Sequence, residues 1–263
     1  MVSVATPVLG SVSAECAADL AEGSRWRAIA VFGSAAYLCC DQRHDAVVAL
    51  ARPDALQLPN SVRIGAGDDL REVLQPGDEG LVRAGSLRIG ALDVRLAGRH
   101  RPAGVRPQPG HAVHPDDLAA LQAKPGLRSR ARAVAAALDA GEPDALADVV
   151  GWGRGLTPAG DDLVCGVLLA FVGAGHWAAG AAGDLVARHG LRTTSLSARM
   201  LSCAARGLAV PAVVDLVDAL LAPDRRPDRQ QFAAVHAIGH SSGRDLCAGL
   251  AGAIDHLHGR EQR

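Results

Sequence analysis

Two stretches in the C-terminal half of the chain bring glycines, hydroxyls, carboxylates and cationic side chains close together. The first is Gly151-Trp152-Gly153-Arg154-Gly155-Leu156-Thr157-Pro158-Ala159-Gly160-Asp161-Asp162, running into an apolar segment. The second is Ile238-Gly239-His240-Ser241-Ser242-Gly243-Arg244-Asp245, again running into an apolar segment. Glycines let the backbone approach a ligand, and the first N–H groups of a helix have no intrahelical acceptor, so each stretch reads as a cradle for a phosphate or carboxylate. Gly153, Gly155, Thr157 and Gly160 in one turn, and Gly239, Ser241, Ser242 and Gly243 in the other, are the expected substrate contacts. Arg154 adds a bidentate partner for the anion. Asp161, Asp162 and His240 are the candidates for proton transfer, and the paired aspartates also suit a divalent cation such as Mg²⁺. Against this stands a bland reading. Thr157 caps a helix with Pro158 at its first position and the acids complement the dipole, while Ser242 and Asp245 form a capping box. Capping leaves the second acid and the density of glycine unexplained.

A third stretch, Arg192 to Leu201, crowds hydroxyls at a helix start, and Thr194 and Ser197 join the expected substrate contacts. One of these hydroxyls is needed as a cap. Gly239 to Gly243 also fits the Gly-x-Ser-x-Gly pattern of a nucleophile elbow, but the residues before it read as helix and too few follow to supply an acid and a base. His236 and His240 stand four apart with Gly239 between them and no metalloprotease glutamate, so no metal ligands are assigned. His111 and His114 read as linker residues.

The elements that must carry these turns divide the chain in two. Arg25–Cys40, Ala46–Leu50, Val62–Ile64 and Gly80–Leu96 have the β-formers and tight-turn glycines of short strands. Between Gly98 and Gly110 a run of Arg, Pro and Gly breaks all periodicity, and Lys124-Pro125-Gly126 reads as a linker. Beyond it, helices are expected from His114-Pro115-Asp116-Asp117 onward, over 129–138, 144–150, 161–172, 195–205, 213–221, 231–237 and 242–257. The fold class is α+β: a strand-rich domain over residues 1–110, a small barrel or sheet, then a helical domain over 111–263 carrying both motifs.

Composition narrows the function classes. The 263 residues are 49% hydrophobic and 21% charged, with 3% aromatic residues, so Ala, Val and Leu build the core. A formal net charge of -1 and no long basic run exclude a dedicated nucleic-acid binder. Lys124 is the only lysine, which removes a P-loop. The six cysteines have no zinc-knuckle spacing and the opening residues no positive signal region, so reduced thiols in the cytoplasm are expected. The apolar part of 163–183 ends near Val172 and is expected as a buried helix rather than a membrane span.

Gly-Leu-Thr-Pro-Ala-Gly-Asp-Asp at 155–162, followed by an apolar helix with Gly166, resembles the signature of a family first known only as a domain of unknown function. The stretch 238–245 resembles that family's C-terminal motif. Its members are similar to the small subunit of oxamate carbamoyltransferase. The resemblance implies carbamoyl transfer between oxalurate and phosphate, giving oxamate and carbamoyl phosphate, with larger subunits of the same complex as partners and a small anionic substrate. The cofactor is unassigned, Mg²⁺ being the one considered. A non-catalytic anion-binding or scaffold subunit, and a stand-alone metal-dependent hydrolase using Asp161, Asp162 and His240, are the alternatives.

Overall fold

The computed structural model describes residues 7–65, 67, 69–108, 113–178, 183 and 187–261. Its chain forms two compact units, Met1–Pro102 and Ala103–Arg263.

The first unit is a closed barrel. Its strands are β1 (Val8–Ser13), β2 (Arg25–Val31), β3 (Ala35–Cys40), β4 (Arg43–Ala51), β5 (Ser61–Ile64), β6 (Glu79–Arg83), β7 (Ser86–Ile89) and β8 (Leu92–His100), with one helical turn, α1 (Leu70–Val73). Around the barrel they run β1-β5-β4-β3-β2-β6-β7-β8. β1 closes the ring by pairing antiparallel with β5 and parallel with β8, and β4–β5 is the second parallel pair. Alternate side chains fill the interior, with Trp26, Leu38, Leu50, Val62, Leu87 and Val94 almost wholly buried. Ala84 and Gly85 join β6 to β7 at φ 51° and 73°, two left-handed residues whose turn matches the twist of the hairpin. β1 is a strand the sequence reading lacked.

The second unit is helical: α2 (Pro115–Ala120), α3 (Pro125–Asp139), α4 (Ala159–Gly173), α5 (Ser195–Ala204), α6 (Pro211–Leu220), α7 (Arg229–His236) and α8 (Ser242–Glu261), with short 3-10 turns at Pro143–Leu146 and Gly190–Arg192. The 144–150 helix is therefore only a 3-10 turn followed by turns. Lys124-Pro125-Gly126 is no linker, because Lys124 is the N-cap of α3 and Pro125, preset in φ, begins it. His114 caps α2, its Nδ1 accepting from the Asp116 N–H, whereas His111 lies outside the described residues.

α4 is buried on nearly every side, as its uniformly apolar run requires. It crosses α8 backbone to backbone. A Cβ on Gly166 would lie 2.1 Å from the Leu246 carbonyl oxygen, and one on Gly249 would lie 2.0 Å from that of Leu163. On its other flank α8 meets α3, where Arg128 grips Asp255 through two hydrogen bonds of 2.6 Å. No helix among the described residues is long and apolar enough to cross a membrane. No disulfide joins the cysteines, five of which are buried.

Candidate functional site

The crossing of α4 and α8 sets the first turns of the two helices side by side, and so brings both glycine-rich turns together. Thr157 Oγ1 lies 2.9 Å from Ser242 Oγ, a hydrogen bond between residues that stand far apart in sequence. Asp162 stands in the first turn of α4, close enough to both hydroxyls for them to act on its charge. Its other oxygen, Oδ2, is buried with no partner. Burial pushes the Asp162 carboxyl up to about 7, the negative charges of Asp245 and Asp161 add to the shift, and the two hydroxyls oppose it. At neutral pH this group is therefore divided between acid and carboxylate.

Asp161 does different work. It is 1% exposed. Its Oδ1 accepts from the Gly151 N–H at 2.8 Å, and its Oδ2 accepts a hydrogen bond from Thr193. Burial raises its pKa, with these donors acting against the rise. The carboxylate thus clasps the start of the first turn to the segment leading into α5. Gly151 makes this possible: at φ 81° it takes a left-handed conformation, and a Cβ there would sit 2.2 Å from the Arg192 carbonyl oxygen.

The hydroxyls of the third stretch are also spent internally. Thr194 is the N-cap of α5, accepting from the Ser197 N–H at 3.1 Å and donating to the Leu156 carbonyl at 2.6 Å. Ser197 reaches the same carbonyl at 3.5 Å. Thr193 was missed by the sequence reading. Once Thr194 serves as the cap, Thr193 lies just outside the helix with an unassigned hydroxyl, which is the signal that could have found it.

Several expectations change. Thr157 is not a cap: Pro158 occupies the N-cap position of α4, Ala159 is the first helical residue, and the Thr157 hydroxyl turns to Ser242. The capping box of Ser242 and Asp245 does not form. α8 begins at Ser242 itself, and the Asp245 N–H donates to the Ser241 carbonyl at 2.9 Å. Several of the N–H groups at the two helix starts donate to the chain's own carbonyls. The Gly160 N–H donates to Trp152, those of Asp161 and Asp162 to Pro158, that of Gly243 to Ile238, and that of Arg244 to Ser241. Gly160 and Gly243 serve packing, since a Cβ would fall 2.0 Å from the Val149 oxygen and 1.8 Å from the Val235 oxygen. A Cβ on Gly153 would meet the Ala159 nitrogen at 2.7 Å, while one on Gly155 would meet nothing within 4 Å. Gly239, at φ 59°, lies against Ser242.

Arg154, Gly155, His240, Ser241 and Arg244 remain exposed on the two turns. His236 is directed elsewhere, its Nε2 lying 3.2 Å from the Leu121 carbonyl. Among the described residues no group of three or more His, Cys, Asp or Glu is placed to hold a metal ion. The arrangement offers exposed cationic and polar side chains, a pair of linked hydroxyls, and beneath them a carboxyl that exchanges its proton near neutral pH.

No curated protein and no solved structure matches the chain. A family model does: that described as oxamate carbamoyltransferase subunit AllH matches residues 149–254. The matched segment runs from just before the first glycine-rich turn to the body of α8. It contains Asp161, Asp162, Thr157, the Thr193–Ser197 stretch and Ser242. Over those residues, which hold every part of the composite site, the chain is AllH-like.

Proposed function

We propose that the chain is a subunit of a carbamoyltransferase that acts on oxalurate and phosphate to give oxamate and carbamoyl phosphate, in complex with larger subunits. The observation that carries this reading is the Thr157–Ser242 hydrogen bond, which makes one composite site out of two motifs. In the transfer, a phosphate oxygen attacks the carbamoyl carbon, the bond from that carbon to the oxamate nitrogen breaks, and the nitrogen takes a proton. Substrates and products are all small anions. Exposed Arg154 and Arg244 suit their charged ends, Gly153, Gly155, Ser241 and the linked hydroxyls their orientation, and Asp162 or His240 the delivery of the proton. Asp161, enclosed and fully engaged, is a positioning residue for the first turn.

The test is calorimetry on the full chain with carbamoyl phosphate, phosphate, oxamate and oxalurate, with and without Mg²⁺. Binding of at least one of these anions that weakens tenfold or more in both Thr157→Val and Ser242→Ala is the expected result. Binding indifferent to both substitutions removes the composite site.

A second reading rests on the flank of the first turn. Trp152 is 43% exposed there and Leu191 83%, beside an open hollow of about 550 Å³ lined by Ala147, Asp148, Val150, Gly151, Trp152 and Arg192. Apolar side chains so placed suit a scaffold that docks a partner. On that reading Trp152→Ala disrupts assembly with the larger subunits and leaves anion binding by the chain intact.

A further inference from the structure

The two helices that open at the composite site also meet at their far ends, around one carboxyl. Asp139 is the last residue of α3, and its side chain is 7% exposed. From the last third of α8, His256 places Nε2 2.9 Å from Asp139 Oδ2. From the turn that follows α4, His176 sets Nε2 3.5 Å from Oδ1. Phe171, wholly buried near the end of α4, lies against both imidazoles, its ring centroid 4.7 Å from that of His176 and 6.4 Å from that of His256. The three polar groups are not placed to hold a metal ion.

The neighbours of His176 select one form of its ring. Nδ1 accepts from the N–H of Ala178, a buried residue, at 3.4 Å, so a neutral ring carries its proton on Nε2, facing the carboxyl. An imidazolium has a hydrogen on each nitrogen. Protonation therefore turns Nδ1 from an acceptor into a donor pointed at a donor.

We infer that Asp139, His176 and His256 form an acid-sensitive latch: with both imidazoles neutral it holds residues 174–178 against the ends of α3 and α8, and protonation of His176 releases that segment.

The charges around the cluster set the direction. Arg132, on α3, has Nη2 over the last turn of α8, 3.5 Å from where a Cβ on Gly259 would stand. Arg128 and Asp255 neutralise each other, and His258 is spent on the Val113 N–H at 3.1 Å. Glu142 and Asp144, in the turn after α3, are exposed. In acid, the single charge of Asp139 thus faces three cations, Arg132 and the two imidazoliums. His256 is fixed within a helix whereas His176 stands in a turn, so His176 is the member that leaves. Burial lowers the pKa of both histidines, with His256 adding to the shift at His176 and Arg132 to that at His256. A histidine whose folded pKa lies below the unfolded ~6.5 contributes fully above that value, and the contribution is lost as pH falls through it. The latch is closed at neutral pH and opens below about 6.5.

The experiment is hydrogen–deuterium exchange of the full chain at pH 7.5 and pH 5.5, with labelling times scaled to the intrinsic rate at each pH. The expected result is that amides of 174–178 exchange about tenfold faster at pH 5.5, relative to that rate, while the barrel strands and the body of α4 keep their protection. His176→Gln keeps an N–H donor and has nothing to titrate, so its segment should stay protected at both pH values. The imidazole nitrogen shifts of the wild type give a second reading: His176 is the Nε2–H tautomer at pH 7.5, and its protonation shares a midpoint with the loss of protection. Equal protection of 174–178 at both pH values, the same acid loss in His176→Gln, or separate midpoints overturns the inference. So does loss of protection over the whole chain, which is global unfolding. If His176→Gln is open at both pH values, the wild-type midpoints decide.

Discussion

Asp161 and Asp162 are adjacent acids with opposite employment, and their neighbours decide which is which. Asp161 is met by donors on each oxygen, so Thr193→Val should leave a buried carboxylate oxygen unpartnered and cost about 1–3 kcal/mol, measured by urea denaturation. Asp162 carries a stability signature of its own. Its folded pKa of about 7 lies above the ~3.9 of an unfolded aspartate, so between those values the folded state binds the extra proton. Stability therefore falls as pH rises from about 4 to about 7 and stays low above. Asp162→Asn is expected to remove this dependence and to stabilise the protein at pH 8 by up to about 4 kcal/mol. A thermal-unfolding series from pH 5 to pH 8 checks it; an unchanged slope would place the charge of Asp162 elsewhere. The sequence shows two acids at a helix start and no means of telling them apart. The difference lies in Thr193 and Ser242, one on either side of the helix and both remote in the chain.

At the scale of elements, the site depends on how closely α4 and α8 approach. Their crossing at Gly166 and Gly249 leaves no room for a side chain on either, and the Thr157–Ser242 contact is its consequence two or more turns away. Gly166→Ala should cost about 3 kcal/mol and weaken anion binding although no ligand is near residue 166. Comparing the unfolding midpoint with the affinity of the folded fraction tests both effects. The helices themselves were legible, since α4 to α8 follow apolar spacing within a few residues. Capping was less so. Thr157 and Ser242 have the residue types of caps, but a cap is decided by backbone geometry, and here the Pro158 position and the pull between two hydroxyls outweighed local preference. The meeting of the two turns is a tertiary fact, and no local pattern in either carries it.

At the scale of the molecule, an α+β division into a strand-rich unit and a helical one was readable from where the periodicity changes, and the barrel itself was one of two forms expected. Its closure was not, because β1 is short and the spacing of Val8, Gly10 and Val12 announces little. Yet β1 is the strand that leaves the sheet without an edge. Deleting Val8–Ser13 should uncover the unpaired sides of β5 and β8, and concentration-dependent association in light scattering would report it. The same closure has a consequence in time. On the ribosome β1 is made first, but its parallel partner Leu92–His100 is the last strand of the barrel to emerge. The strand synthesised earliest must wait for the one synthesised latest, so ring closure is a late, non-local step and the nascent chain carries an unsatisfied strand through most of the unit's synthesis.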